Sequence, residues 1–319
     1  MSSYTDCAHS PLYAVIDLGS NSFHMLITRQ LADSVQVVDK VKRKVRLASG
    51  LDANNRLNKQ AMARGLECLS FFAERLQDIP KQNIRIVATA TVRLAVNRDE
   101  FLQQANKVLG QPIQLLSGEE EAKNIYLGVA HTNSSHRDRL VLDIGGASTE
   151  MIVGSDYNIH EVKSLNIGCV TFNNRFFSKG ELNEEAFEQA LTAARNEISP
   201  LVSAYQQYGW KSVLGGSGTM QALAELLMFH GKPLVITRSF LDDVCQQVLE
   251  FSHIDNINIA GLGSERIPVL VSGLAILSAL FECFAIEQLQ LSSGALREGL
   301  LYEMLPDSHE MIIRTRTIN

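Results

Sequence analysis

The sequence lacks the marks of several protein classes. No apolar run reads as a membrane span: the charge-free stretch 267–281 is short, contains Ser272, Gly273 and Ser278, and runs into Glu282, so a buried helix is expected and no membrane partner. Cysteines are few and scattered, at positions 7, 68, 169, 245 and 283, with no zinc-like or redox-like spacing. An odd, dispersed set points to reduced thiols in a cytoplasmic protein rather than a disulfide frame. The eight histidines make no metal-ligand pattern, and there is no Gly-x-Ser-x-Gly elbow, no Walker loop and no dinucleotide fingerprint. Positive charge is in deficit, with 29 Lys and Arg against 35 Asp and Glu and a net charge of -6. No nucleic-acid partner is expected from such a balance. The opening Met-Ser-Ser-Tyr-Thr-Asp-Cys has neither a basic region nor an apolar core, so no signal peptide is expected. Low-complexity tracts are also missing.

What the chain does have is length and apolar content: 319 residues, 45% hydrophobic, enough for two domains. Strand-like runs at 13–27, 35–38, 84–88 and 112–116 alternate with helical periodicity at 58–76, 99–109 and 117–129. The second half repeats the alternation, with a hairpin at 140–153, a long helix over 184–208 and a strand at 212–214. This pattern argues for an α/β fold. The polar stretch 131–139 separates a first domain, 1–130, from a second, 131–319, whose last helix is free to return to the first.

Two short loops look like copies of one another. One is Ile16-Asp17-Leu18-Gly19-Ser20-Asn21-Ser22 and the other Leu142-Asp143-Ile144-Gly145-Gly146-Ala147-Ser148-Thr149-Glu150. Each follows one apolar run and leads into another. A glycine turn admits close backbone approach to an anion, and successive N–H groups then cradle phosphate oxygens. An Asp at the strand end is placed to hold a divalent cation beside that phosphate. Asp143 and Glu150 stand at opposite ends of one hairpin and so are able to face the same Mg²⁺. The plainer use of Asp17 and Asp143 is to cap tight turns; their occurrence in two matching loops favours the ligand reading.

Ser117-Gly118-Glu119-Glu120-Glu121 opens a helix. Ser117 and Glu120 fit a capping box, and Glu119 faces Lys123 one turn on. Glu121 has no such partner, and by elimination it is the candidate catalytic carboxylate. Arg93, just past a short strand, suits bidentate phosphate binding or an ordinary surface role. Gly215-Gly216-Ser217-Gly218-Thr219 is either a third phosphate cradle or a simple strand–helix turn. Lys40-Val41-Lys42-Arg43-Lys44-Val45-Arg46 either attracts a polyanion or forms a solvated strand face.

These residues carry a resemblance. The segments 13–26, 87–93, Ser117 to Ala122, Asp143 to Glu150 and Gly294-Ala295-Leu296-Arg297-Glu298-Gly299 resemble, in order, the exopolyphosphatase / guanosine pentaphosphate phosphatase family. The resemblance implies two RNase H-like domains of the sugar kinase/Hsp70/actin superfamily, with an active site in the cleft separating them. Ala147, where many exopolyphosphatases carry a third glycine, leans toward the guanosine pentaphosphate phosphatase branch. So does Ile79-Pro80 together with 42–48. That branch implies Mg²⁺-dependent removal of the terminal 5′ phosphate of guanosine 5′-triphosphate 3′-diphosphate (pppGpp), giving the alarmone ppGpp of the stringent response.

In that reading Glu121 orients or deprotonates water, Arg93 stabilises developing charge, and Asp143 and Glu150, with Asp17, hold Mg²⁺. Gly19, Ser20, Asn21 and Ser22, with Gly145, Gly146, Ala147 and Ser148, bind the terminal phosphates. Arg266 and the turn Ser217, Gly218, Thr219 are further ligand contacts by resemblance. Members of the branch usually continue into a helical C-terminal domain, and the full-length form is expected to be a homodimer; the stop at Asn319 suggests a shortened chain. Exopolyphosphatase action on inorganic polyphosphate, phosphoryl transfer by a kinase or ATPase, and alarmone binding without turnover are the alternatives.

Overall fold

A computed structural model describes residues 10–31, 34–133, 137–305 and 312–314. The chain begins with strands β1 (Leu12–Leu18), β2 (Ser22–Leu31) and β3 (Ser34–Lys44), then helix α1 (Lys59–Arg75). Next come β4 (Ile84–Ala88), α2 (Ala90–Leu94), α3 (Arg98–Leu109), β5 (Gln114–Leu115) and α4 (Gly118–Thr132). A second series follows: β6 (Asp138–Ile144), β7 (Thr149–Ser155), β8 (Asn158–Leu165), α5 (Cys169–Phe176), α6 (Glu184–Ile198), α7 (Val202–Gln206) and β9 (Ser212–Gly216). It continues through α8 (Gly218–Phe229), β10 (Val235–Thr237), α9 (Arg238–Leu249), α10 (Leu270–Cys283) and β11 (Gln288–Leu291). The last elements are α11 (Leu296–Met304) and β12 (Ile312–Arg314).

These elements divide into two compact units, Met1–Asn133 with Gly294–Asn319, and Ser134–Ser293. The sequence boundary at 130/131 grouped 294–319 with the second domain while allowing its helix to return. In the structure that segment sits in the first unit.

Each unit is built on a six-stranded sheet. The first has the order β12-β3-β2-β1-β4-β5 and the second β10-β11-β9-β6-β7-β8. In both, an antiparallel three-strand meander (β1–β2–β3; β6–β7–β8) joins a parallel strand beside its first member (β4; β9). The order 3-2-1-4 therefore occurs twice, continued by β5 in the first sheet and by β11 and β10 in the second, as expected of RNase H-like α/β domains.

Burial follows the sequence pattern. In α1, Ala61, Met62, Cys68, Leu69 and Phe72 recur along one face and join a core with Phe23, Met25 and Phe101. Asn58 caps this helix through the Ala61 N–H at 2.8 Å. In the second unit every residue from Leu270 to Phe281 is buried, so the charge-free run is a core helix. No helix of the described residues is long and apolar enough to cross a membrane.

The expected single helix over 184–208 is broken. Pro200 has no N–H to continue the ladder, and a short 3-10 turn at Ser199–Leu201 separates α6 from α7. The strand expected at 112–116 contracts to the two residues of β5.

Candidate active site

The two repeated loops are hairpin turns of identical register. Asp17 pairs with His24 and Leu18 with Phe23, and likewise Asp143 pairs with Glu150 and Ile144 with Thr149. Four residues close each turn, 19–22 and 145–148. A Cβ at Gly19 would stand 2.8 Å from the Ser22 carbonyl oxygen, and one at Gly145 would stand 3.1 Å from that of Ser148. Glycine at these two places is therefore a matter of space.

The carbonyls of both turns are turned away and engaged. Ser20 O accepts from Ala48 N at 2.9 Å, and Asn21 O accepts from Val45 N and Arg46 N at 3.1 and 2.8 Å. Gly145 O accepts from Cys169 N at 2.9 Å, and Gly146 O accepts from Val170 N and Thr171 N at 2.8 and 3.2 Å, at the start of α5. Among the described residues the N–H groups of Ser20 and Asn21, and of Gly146 and Ala147, donate no hydrogen bond. Carbonyls used on one side and N–H groups left on the other give the concave donor surface that suits a phosphate oxygen. Ser20, Ser22 and Ser148 are buried beside these turns.

Glu121 and Arg93, separated by 28 residues, meet in the first unit. Arg93 Nη1 donates to Leu116 O at 2.9 Å and to Glu121 Oε2 at 3.2 Å. Glu121 lies in the first turn of α4 and is 8% exposed. Its neighbours are arranged by the capping box: Glu120 N donates to Ser117 Oγ (3.2 Å) and Ser117 N to Glu120 Oε2 (2.7 Å). Those bonds draw the Glu120 carboxyl below its usual range, the Ser117 backbone N–H contributing most. The Glu119–Lys123 pair expected from sequence does not form among the described ion pairs.

The remaining acids occupy equivalent rows. Across the first sheet run Asp17, His24 and Lys42 in successive register, and across the second Gly216, Asp143, Glu150 and Ser164. His24 Nδ1 lies 3.4 Å from Asp17 Oδ2, while Asp17 Oδ1 is buried with no hydrogen-bond partner. Glu150 is 1% exposed and accepts from Ser164 Oγ at 2.8 Å. Among the described residues no group of three or more acids, histidines and cysteines is clustered tightly enough to hold a metal by itself. Mg²⁺ needs only one or two carboxylates when phosphates and water complete its shell. The orphaned Asp17 oxygen and the Asp143–Glu150 pair fit that demand.

The 215–219 turn joins β9 to α8. Ser217 adopts φ +95°, a strained value for a residue with a side chain, and its Oγ is buried without a partner. Arg266 is tied to α8 through Glu225 Oε1 at 2.9 Å and Gln221 Oε1 at 3.2 Å. A Cβ at Gly218 would meet Arg266 Nη1 at 3.7 Å. The Thr219 hydroxyl is turned inward against Gly273 of α10, and its backbone N–H lies in the first turn of α8.

Sequence reading overlooked His24. The seven-residue spacing from Asp17 to His24 equals that from Asp143 to Glu150, and comparing the two hairpins position by position would have exposed it. Burial holds the His24 imidazole below its ordinary pKa, against the opposing Asp17 hydrogen bond, and Arg297 and Lys42 push in the same direction as burial. Open cavities of about 620 Å³ beside Arg175 and Phe176 and about 600 Å³ beside Lys81 and Arg85 contain none of these residues.

Equivalent hairpin turns on two RNase H-like sheets, with a part-buried Glu–Arg pair in the first unit, define the class: an α/β protein with a duplicated sheet-and-turn plan. The Ppx/GppA phosphatase family matches residues 26–308, and the chain belongs to it. It is 53% identical over 309 residues to the guanosine-5'-triphosphate,3'-diphosphate pyrophosphatase of Vibrio parahaemolyticus, covering 97% of this chain and 62% of that protein. The protein of the same name from Aeromonas hydrophila is 50% identical with the same coverage. The chain thus spans less than two thirds of the length of these relatives. Among solved structures, an exopolyphosphatase from Cytophaga hutchinsonii matches with a TM-score of 0.83 at 24% identity, over 92% of this chain and 97% of that one. The Aquifex aeolicus member of the Ppx/GppA family matches with a TM-score of 0.76 at 24% identity, over the same shares.

Proposed function

We propose that this protein hydrolyses the terminal 5′ phosphoanhydride of guanosine 5′-triphosphate 3′-diphosphate, releasing phosphate and the tetraphosphate alarmone. The observation that carries the reading is the pair of equivalent hairpin turns, each with its carbonyls engaged and its N–H groups free for an anion. The names of the relatives at 50–53% identity supply the substrate. Each turn offers its N–H groups to phosphate oxygens. Glu121 accepts a proton from the attacking water as its oxygen bonds to the terminal phosphorus and the bridging P–O bond breaks. Arg93 holds Glu121 in place and meets charge on the departing phosphate oxygens. Asp143 and Glu150, with Asp17, would hold Mg²⁺, which when bound neutralises phosphate charge. Ser217, Gly218 and Arg266 contact the ligand from the second unit. The setting is the cytoplasm and the stringent response, and the protein acts as a homodimer.

The test measures phosphate release by the chain with Mg²⁺, on the pentaphosphate nucleotide and on long polyphosphate side by side, with Glu121→Gln as control. Faster turnover of the nucleotide, lost in Glu121→Gln and on chelation of Mg²⁺, supports the reading. Preference for polyphosphate would move the same site to the other substrate, and binding without turnover would make the protein a sensor.

A further inference from the structure

The returning helix α11 delivers a cation for which the reaction above has no task. Arg297 is the second residue of α11, and its Nε is buried without a hydrogen-bond partner among the described residues. Its acidic neighbours are engaged elsewhere. Glu298 accepts from Ala295 N at 3.0 Å and lies 3.7 Å from Lys40 Nζ, and Glu303 lies 3.6 Å from Arg85 Nη2. A guanidinium N–H shut away from water without an acceptor is costly, and a phosphate oxygen is the acceptor its planar fork fits best.

The position of Arg297 is fixed by close backbone packing. A Cβ at Gly128 would overlap the Ala295 carbonyl oxygen, one at Gly294 would overlap that of Gly128, and one at Gly299 would overlap that of Asn124. His131 of α4 stacks on Tyr302 of α11 with ring centroids 3.6 Å apart. Helix α11 also packs on β1, the strand that carries Asp17 near its end and leads into the 19–22 turn. Asp17 Oδ1 on β1 and Arg297 Nε on the helix packed against that strand are two buried, partnerless atoms of opposite character. A cation-bearing phosphate would satisfy both.

We propose that Arg297 is a substrate-binding residue of the first phosphate turn, its guanidinium donating to an oxygen of the phosphate chain held by 19–22. For the nucleotide this rests on the function proposed above; for the phosphate chain alone it does not.

Binding without turnover tests it. The 319-residue chain is titrated calorimetrically in EDTA with inorganic tripolyphosphate and, separately, with the pentaphosphate nucleotide. Arg297→Gln should weaken both about tenfold or more, while the exposed-charge control Arg56→Gln stays within twofold. Arg297→Lys keeps the charge and the stem. A drop of about threefold or more in that variant, at an unchanged melting temperature, supports the assignment even if the glutamine variant folds poorly. Wild-type affinity in Arg297→Lys and Arg297→Gln overturns it. If the wild-type chain binds tripolyphosphate but not the nucleotide, the nucleotide reading fails while Arg297 is still judged by tripolyphosphate. If it binds neither, both fall.

Discussion

Cys169 sits at the start of α5, where its N–H serves the Gly145 carbonyl. A thiolate there would repel a phosphate held at the second turn, as the proposed function requires. Burial prevents this by pushing the Cys169 thiol up to about 12. Iodoacetamide at pH 8 should therefore leave Cys169 unlabelled in the folded protein and label it fully in guanidinium; rapid native labelling, read by peptide mass, would refute the assignment. Glu121 is buried too, and in the proposed reaction it is the group that accepts the proton from water. Replacing it with Gln should lower turnover about 10²- to 10⁴-fold, with nucleotide affinity within threefold of wild type, as measured by single-turnover phosphate release beside equilibrium binding. Around Glu121 only local relations are legible in the sequence. Its neighbours' capping duties are local and can be read from three- and four-residue spacing. Its contact with Arg93 spans 28 residues and arises only when β4 and α4 are placed together, so Arg93 was ambiguous until the fold was seen.

At the scale of elements, the hairpins were legible because acid, glycine and apolar run lie within ten residues, and hairpin pairing is local. The strands β8, β10 and β11 and the helix α9 carry no comparable motif and were not anticipated; β10 and β11 are also only three and four residues long. The return of α11 to the first unit was open in the sequence but not fixed by it, because it depends on glycines meeting backbone across more than 160 residues of chain. That packing gives a stability prediction. Gly128→Ala would drive a methyl into the Ala295 carbonyl, and overpacking of this kind costs about 1–3 kcal/mol. The melting temperature should fall by several degrees, since about 1 kcal/mol moves a domain of this size by roughly 2–4 °C. Gly168→Ala differs in outcome. Its Cβ would lie 2.5 Å from the Gly146 carbonyl and the Ala147 nitrogen, so the methyl displaces the second phosphate turn itself. Tripolyphosphate affinity should fall more steeply in Gly168→Ala than in Gly128→Ala at matched loss of stability; equal affinity in the two would separate the turn from phosphate binding.

At the scale of the whole molecule, the chain is acidic, yet its candidate ligand is a polyanion. Attraction must then come from local donors rather than net charge: the two sets of turn N–H groups, Arg93, and the Lys40, Lys42 and Lys44 side of β3, while Arg43 on the opposite face of that strand stacks 3.5 Å over Phe71. The two turns come from separate units, and their shared register does not reveal whether they serve one substrate or two. Kinetics distinguishes these cases. Gly19→Ala would press on the Ser22 carbonyl and Gly145→Ala on that of Ser148, and each should lower turnover about a hundredfold by displacing donors aimed at phosphate. Groups that act together on one transition state are strongly non-additive. The double variant should thus be little worse than the more damaged single variant. If each turn instead made an independent contribution, the losses would multiply to about 10⁴-fold, and the expectation that the two turns act on one transition state would fall while each could still bind phosphate on its own.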